Sequence, residues 1–429
     1  MSQTRQSQNG LQAVIDLGAR RRAHNNVLLI KAALPATVSA ALLALAIYVL
    51  VMVSADRVDW HNILPVGLVV AMVPAIAVSL LVIASRRNHP FSMAVAVTVF
   101  ALSFAISILA ATRIPVSFVG IALTIPSTLL CVTLANLAMA RSLSRRACLL
   151  DFPGAQAVAQ KLDGRVQVVS PEEIGPDIRR VLIDPAFHHS AEWAPVLARL
   201  YTRGLEMEAW PRYLETYAGR VDIDSFELAD VSYSPSQIFY YRFKRVVDLV
   251  GVLVLAVPVL VVGGLLWLYI RLVDGGPSFF IQERRGYGGG TFRLYKFRTM
   301  YKNADGASTS ANDSRVLPGC HLVRQLRLDE LPQLLNIARG EMSFIGPRPV
   351  SVAIAEALEA RIPQYINRSI LLPGLTGWAQ VSHGYAETQD EEIEKLSYDL
   401  YYLKHVSFDL DVIISVRTIK TLLLRKGAR

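Results

Sequence analysis

Val246-Val-Asp-Leu-Val-Gly-Val-Leu-Val-Leu-Ala-Val-Pro-Val-Leu-Val-Val-Gly-Gly-Leu-Leu-Trp-Leu-Tyr-Ile270 is a run of 25 residues with one charge, Asp248, near its start. By length alone it crosses a bilayer, which needs about 20 apolar residues. Its flanks oppose that reading. Arg242, Lys244 and Arg245 precede it, and Arg271, Arg284, Arg285, Arg293, Lys296 and Arg298 follow. Basic flanks prefer the cytoplasm, and here both flanks are basic. Pro258 sits near the middle, where it removes a backbone hydrogen bond and favours a kink. The stretch up to Val257, at 1.5 Å per residue, reaches roughly 18 Å, a little over half the hydrocarbon thickness. Residues 239–273 are therefore expected to form a re-entrant membrane helix broken at Pro258. The alternative is a kinked spanning helix, since proline is tolerated in those.

Upstream, apolar runs cover roughly 27–54, 62–84, 91–112 and 114–140, each long enough to span. The polar first 26 residues and the length of the first run argue against a cleavable signal peptide. Arg20, Arg21 and Arg22, then Arg86 and Arg87, then Arg141, Arg145 and Arg146 mark alternate connections, whereas Arg57 and Arg113 stand alone in the other two. The positive-inside rule places the tail 1–26, the second connection and everything after Arg141 in the cytoplasm. The four helices of 27–140 read as an anchor that can also support a homodimer. Lys31 lies near a helix end and can snorkel, and nothing polar suggests a transport path. Charged residues are only 18% of the chain and apolar ones 52%, against about 25% charged in an average soluble protein. A net charge of +9 then points to cytoplasmic flanks and anionic headgroups. No basic recognition helix or zinc-finger spacing supports nucleic acid. Cys131, Cys148 and Cys320 are too far apart in sequence for a disulfide framework or thiolate zinc site. H-E-x-x-H and P-loop motifs are absent.

Residues 141–238 return to soluble composition. Short β-type runs at Val166–Val169, Val181–Ile183 and Leu205–Trp210 alternate with helical patterns near Gly154–Leu162 and Ala191–Arg203. That alternation predicts a parallel α/β layer. The first turn, Asp151-Phe-Pro-Gly-Ala-Gln, has one glycine where a dinucleotide fingerprint has three. The module reads as degenerate Rossmann-like, structural or regulatory. His188–His189 reads as a solvated turn.

In residues 274–429, two β-type stretches flank Gly286–Gly290, which predicts a hairpin, with a phosphate-cradling loop as the weaker option. Lys296 and Arg298, two apart, share one strand face. Asn303–Pro318 is polar and small, suited to a loop over a site. Arg324-Gln-Leu-Arg-Leu-Asp-Glu-Leu-Pro-Gln-Leu-Leu-Asn336 follows, with Pro332 in the expected first turn of a helix reaching Arg339. Asp329 and Glu330 then precede a helix N-terminus, which favours carboxylate and phosphate. Pro347 and Pro349 hold Arg348 rigidly, and an immobilised guanidinium suits bidentate phosphate binding. Two carboxylates near several cations suggest Mg²⁺-assisted chemistry on a phosphate ester. Asp409–Arg429 alternates apolar clusters with Arg417, Lys420, Arg425 and Lys426. It reads equally as an interfacial helix or a buried core helix. Cys320 reads as incidental.

Residues 242–429 resemble the bacterial sugar transferase family, the monotopic polyprenyl-phosphate phosphoglycosyl transferases. The resemblance lies in the apolar run with Pro258, Lys296-Phe-Arg-Thr-Met300, Leu328-Asp-Glu-Leu-Pro-Gln333, Met342-Ser-Phe-Ile-Gly-Pro-Arg-Pro349 and Pro373-Gly-Leu-Thr-Gly-Trp-Ala-Gln380. The first 240 residues are similar in architecture to the long-form members that start exopolysaccharide or capsule synthesis. The resemblance implies a re-entrant helix carrying a compact α/β catalytic unit on the cytoplasmic face of the bacterial inner membrane. It implies transfer of a hexose 1-phosphate from a UDP-sugar to undecaprenyl phosphate, with release of UMP. UDP-glucose is the first expectation for the donor and UDP-galactose the second. It implies Asp329 as the nucleophile that forms a phosphosugar–enzyme intermediate, and Glu330 as the partner associated with Mg²⁺ and orientation. Asp329 and Glu330 are thus the expected metal ligands. Arg324 and Arg348 match the family's phosphate-binding arginines, and Lys296 and Arg298 its basic strand motif. Many relatives carry Ser-Pro at the helix break, where this chain has Val257–Pro258. Two other readings are a non-catalytic membrane scaffold for polysaccharide assembly and a polytopic phosphotransferase with its site between spanning helices. The intact Asp329, Glu330 and Arg348 speak against the first. The lack of acidic pairs in the first four runs speaks against the second.

Overall fold

The computed structural model describes residues 2–56, 59–84, 90–142, 147–175, 178–301, 314–383 and 389–423. Arg57, Arg86, Arg87, Arg145, Arg146, Arg425, Lys426 and most of the expected Asn303–Pro318 loop lie outside the described residues, as do the side chains of Arg20, Arg21, Arg22 and Arg141. The chain divides into two compact units, Met1–Tyr213 and Leu214–Arg429.

The first unit opens with four long helices: α1 (Ser2–Ser54), α2 (Trp60–Ala84), α3 (Pro90–Thr112) and α4 (Phe118–Ser142). Their apolar portions, Asn26–Ser54, Trp60–Ile83, Phe91–Thr112 and Phe118–Met139, are each long enough to cross a membrane. Helix α1 lies against α2 and α4, and α3 against the same two. The buried face of α1 carries Leu29, Ala33, Ala40, Ala44 and Tyr48, and small residues recur at Ala77, Ala94, Ala101, Ala105 and Ala135. Small side chains let backbones approach where lipid offers no hydrophobic gradient. Leu42, Phe100 and Val119 point outward, as lipid-facing positions do.

Five helices and strands of expected type follow, preceded by one that the sequence pattern conceals. Strands β1 (Ala147–Leu150), β2 (Gln167–Val169), β3 (Arg180–Ile183) and β4 (Glu206–Ala209) form one parallel sheet in the order β2-β1-β3-β4. Helices α5 (Ala155–Lys161), α6 (Pro185–His188), α7 (Ala194–Thr202) and α8 (Trp210–Tyr213) connect and close it. The central β1 is an Ala-Cys-Leu-Leu run. It is buried on both faces and so shows no alternation to read. His188 corrects the expectation of a solvated turn: it is 0% exposed, while His189 is exposed. Asp184 caps the single turn of α6, and its backbone N–H donates to His188 Nδ1 at 3.0 Å. Phe152, Phe187 and Trp193 enclose the imidazole. Burial lowers its pKa, so it is a neutral core histidine.

The second unit is organised around α9 (Pro235–Asp274), which starts at a Ser234–Gln237 capping box and ends at Gly275 with φ 63°. The helix runs through Pro258 without interruption. Pro258 therefore lies inside one helix and does not end it; proline removes one hydrogen bond there and can bend a helix without ending it. Both halves of α9 are tied to the α/β domain. In the first half, Arg245 donates to Ile337 O and Ala338 O, Lys244 pairs with Asp411, and Asp248 Oδ1 accepts from Ser343 Oγ at 3.0 Å and Phe344 N at 3.1 Å. The one charge in the apolar run thus faces the domain. In the second half, Tyr269 donates to Pro318 O and Asp274 pairs with Arg298. Between them Leu253, Val254, Val257, Leu260 and Val261 are exposed.

The hairpin forms as expected: β5 (Phe279–Arg285) pairs antiparallel with β6 (Thr291–Phe297) around Gly286–Gly290, with Gly288 and Gly289 at positive φ. Next come α10 (Cys320–Gln325), a 3₁₀ helix (Leu328–Gln333), α11 (Leu334–Arg339), β7 (Ser343–Ile345), α12 (Val352–Arg361), β8 (Gly374–Thr376), α13 (Trp378–Ser382), α14 (Gln389–His405) and α15 (Phe408–Leu423). Strands β7 and β8 pair in parallel, Ser343 opposite Gly374 and Ile345 opposite Thr376. A core of Leu358, Tyr365, Leu396, Leu400, Tyr402, Leu403 and Ile414 lies beneath. The first turns of α15 are in this core, through Leu410, Asp411 and Ile414, while Val416, Ile419 and Leu423 are exposed. The first half of the described helix is therefore a core helix.

Candidate active site

Asp329 and Glu330 are both buried, and they lie inside a helical turn that leads into α11, not just before a helix start as the sequence suggests. They lie inside the 3₁₀ helix, with Pro332 within it and α11 starting only at Leu334. Successive 3₁₀ residues point about 120° apart, so the two carboxylates face different partners.

Asp329 faces β6. Lys296 Nζ sits 2.6 Å from Asp329 Oδ2. Asn336, fully buried, fixes this juxtaposition. Its Oδ1 accepts from Tyr295 N at 3.3 Å and its Nδ2 donates to Arg293 O at 2.7 Å, so α11 is clamped to the strand that carries Lys296. Burial raises the Asp329 pKa above the usual carboxylate range, against the opposing pull of Lys296.

Glu330 faces the other way. Arg348 Nη2 donates to its Oε1 at 2.9 Å, and Arg327 Nη1 lies 3.8 Å from its Oε2. Burial alone would raise this carboxyl; Arg348, then Arg327 and Lys296, override it and hold the pKa at about 2. Arg348 is placed by a close backbone crossing. A Cβ on Gly346 would lie 2.3 Å from Leu372 O, and one on Gly374 2.1 Å from Gly346 N. Only glycine allows β7 and β8 to meet there, and Pro347-Arg-Pro349 leaves that crossing rigidly. Arg368, itself paired with Asp399 at 2.6 Å, donates to Arg348 O, and Arg284 donates to Pro349 O.

The structure thus brings Lys296, Asp329, Glu330 and Arg348 together. Arg324, on α10, acts on Asp329 as a nearby positive charge. Arg298 stands apart: the strand ends at Phe297, and its guanidinium is buried 2.5 Å from Asp274 at the end of α9. A Cβ on Gly276 would lie 2.7 Å from Arg298 Nη1, so this arginine fills the end of the membrane helix instead of facing the carboxylates. Cys320 is buried with Ile270 and Phe297 in a local core. Sequence reading missed Arg327, Asn336, Arg368 and Asp399. Arg327 had a signal, since it stands three residues before Glu330. The other three are fixed only by tertiary contacts.

Among the described residues, no group of three His, Cys, Asp or Glu side chains converges on a metal position. Magnesium is commonly held by one or two carboxylates completed by substrate phosphates and water. Asp329 and Glu330 supply that number of carboxylates, each turned here to its own cation. Glu330 Oε2 is buried without a hydrogen-bond donor, as an oxygen reserved for such a ligand would be.

Residues 239–425 match the family described as bacterial sugar transferase. The chain is 38% identical over 246 residues to a protein of Aeromonas hydrophila named UDP-N-acetylgalactosamine-undecaprenyl-phosphate N-acetylgalactosaminephosphotransferase, covering 56% of this chain and 57% of that one. It is 39% identical over 193 residues to a UDP-glucose:undecaprenyl-phosphate glucose-1-phosphate transferase of Caulobacter vibrioides, covering 43% of this chain and 71% of that one. It is 37% identical over 194 residues to an undecaprenyl-phosphate glucose phosphotransferase of Komagataeibacter xylinus, covering 43% and 36%. The chain therefore spans 57% of the first relative and 36% of the third. The matched region holds α9, the hairpin, the paired carboxylates and the glycine crossing, and a 39% identity across 71% of a relative leaves one assignment: this chain is a membrane protein of the bacterial sugar transferase family.

Proposed function

We propose that the protein transfers a hexose 1-phosphate from a UDP-sugar to undecaprenyl phosphate, as the first membrane step of exopolysaccharide or capsule synthesis. The observation that carries this reading is the Lys296–Asp329 pair beside Glu330 and Arg348. One carboxylate lies against a lysine, where it can act as nucleophile. The other is held ionised between two guanidiniums, where phosphates bind.

In the first step an Asp329 carboxylate oxygen attacks the β-phosphorus of the donor. A bond to phosphorus forms, the bond from that phosphorus to the bridging oxygen breaks, and UMP leaves with the electron pair. In the second step an oxygen of undecaprenyl phosphate attacks the same phosphorus. The Asp329–phosphorus bond breaks, the carboxylate returns, and undecaprenyl-diphosphate-sugar leaves. A covalent intermediate separates the binding of a soluble donor from that of a membrane acceptor. Lys296 holds and orients Asp329 between turnovers. Arg348 offers its guanidinium to the donor phosphates, with its backbone immobilised so that little freedom is lost on binding. Mg²⁺, held by Asp329 and Glu330, would supply charge neutralisation on the phosphates and the departing UMP.

The same reading takes α9 as re-entrant. What supports it is that both halves of the helix are tied to one domain, through Arg245 and Asp248 in the first and Tyr269 and Asp274 in the second, and that both flanks are basic. The domain then lies on the cytoplasmic face of the inner membrane. UDP-glucose and UDP-N-acetylgalactosamine are the donors to test first, because the relatives are named for them, followed by UDP-galactose. The test is a UMP-release screen across UDP-sugars with undecaprenyl phosphate and Mg²⁺. UMP release from one donor, dependent on Asp329, supports the reading; no UMP from any donor refutes it.

A further inference from the structure

Arg327 has the one left-handed non-glycine backbone in the second unit among the described residues, at φ 55°. It follows Leu326, the C-cap of α10, at the position where helices commonly end on a left-handed residue, and it is the N-cap of the 3₁₀ helix of the carboxylates. Glycine adopts that conformation freely, and asparagine more readily than arginine. The chain nevertheless carries a long cation here, and the turn delivers it to the active site. Arg327 Nη1 lies 3.8 Å from Glu330 Oε2, beyond hydrogen-bond length, and that oxygen is buried with no hydrogen-bond donor. Arg348 holds the other oxygen of the same carboxylate at 2.9 Å. The side chain of Arg327 is 29% exposed and that of Glu330 6%, so the guanidinium stands on the solvent side of the acid.

We propose that Arg327 is a further donor-binding residue, whose guanidinium, on the solvent side of Glu330, binds the diphosphate of the nucleotide sugar. This rests on the phosphoglycosyl transfer reading. Two guanidiniums, one at each oxygen of Glu330, suit a ligand with two adjacent phosphates better than the single phosphate of the lipid acceptor. The strained backbone is then part of how the cation is aimed.

The test titrates UDP, in the presence of Mg²⁺, against the full chain in detergent, comparing wild type with Arg327→Gly and Arg327→Lys. Glycine suits the left-handed backbone, so the thermal transition of Arg327→Gly should be no lower than that of wild type. Its UDP affinity should fall about tenfold, as for one charge-assisted phosphate contact, and Arg327→Lys should recover most of it. In turnover, the donor KM should rise while the KM for undecaprenyl phosphate stays unchanged. If Arg327→Gly does not fold, Arg327→Asn, which also tolerates this backbone, carries the same comparison. Wild-type UDP affinity in the folded uncharged variant overturns the proposal, and so does a KM effect confined to the lipid acceptor. A wild-type protein that binds UDP but releases no UMP from any UDP-sugar refutes the transferase reading, while the titrations still decide whether Arg327 contacts the diphosphate. A wild-type protein that does not bind UDP overturns both.

Discussion

Replacing Lys296 with methionine removes the cation facing Asp329 and keeps a side chain of similar length. Lys296 Nζ lies 2.6 Å from a carboxylate that is 4% exposed, while the lysine itself is 28% exposed. Breaking a fully buried pair costs about 3–5 kcal/mol. Water reaches this lysine and replaces part of its effect, which reduces the expected loss to about 1.5–3 kcal/mol. At about 1.4 kcal/mol per pKa unit, the Asp329 pKa should rise by roughly one to two units. The sign follows from the site. Burial already places the folded pKa of Asp329 above its unfolded value, and Lys296 opposes that shift. Without the lysine the shift grows, so the folding penalty of an ionised Asp329 increases as pH rises through the folded pKa. The variant should be less stable than wild type at neutral pH, and the difference should shrink on acidification. The nucleophile must be ionised, so the acid limb of adduct formation should move to higher pH by the same roughly one to two units. The assay is single-turnover UMP release without lipid acceptor from about pH 4 to about pH 9, alongside thermal unfolding over the same range. An acid limb unmoved in a folded Lys296→Met would refute the pairing of Lys296 with the reacting carboxylate.

Arg348→Ala should lower turnover at least about tenfold, the effect of losing a phosphate contact of about 1.5–3 kcal/mol, with its thermal transition retained at neutral pH; loss of the transition would assign Arg348 a structural role. The depressed Glu330 pKa of about 2 contributes stability that is present above its unfolded value and lost as pH falls toward 2. Arg348→Ala should move that loss to higher pH in acid melts. Gly374→Ala forces a Cβ to within 2.1 Å of Gly346 N, so urea unfolding should show a destabilisation of about 1–3 kcal/mol or more, and an unchanged midpoint would mean that the crossing is soft. Single cysteines at positions 245 and 288, with Cys131, Cys148 and Cys320 replaced, should be labelled from the same side of the membrane; labelling of position 288 alone from the periplasm would make α9 a spanning helix.

Elements with strong local signals were legible in the sequence. Four apolar runs lie in four helices, three of them within a few residues of their expected limits and the first, α1, extended back to Ser2 through the expected tail, and Gly286–Gly290 turned a hairpin. Asp329, Glu330, Lys296 and Arg348 were legible as a group because their motifs are short and dense in charge. What was not legible depends on tertiary contacts. The central strand β1 has no alternation because both of its faces are buried. His188 is polar in sequence but enclosed by Phe187 and Trp193, its near neighbours, and by Phe152 from the turn after β1. Lys296 and Arg298 share a strand-like spacing, yet the strand ends between them and sends one to Asp329 and the other to Asp274. Pro258 reads locally as a break, whereas the helix assigned around it runs from Pro235 to Asp274. Pro332 reads as the first residue of an α-helix, but the chain tightens into a 3₁₀ turn that places both carboxylates inside.

The central claim is that Asp329 carries the sugar phosphate between donor and acceptor. Mass spectrometry of the protein incubated with Mg²⁺ and its UDP-sugar, without undecaprenyl phosphate, tests it most directly. The expected result is up to one UMP released per site and one sugar-phosphate mass on the peptide containing Asp329. That mass should be absent in Asp329→Asn and lost when undecaprenyl phosphate is added. An adduct mapped to Glu330, near-wild-type turnover by Asp329→Asn, or turnover with no adduct in any state would contradict it.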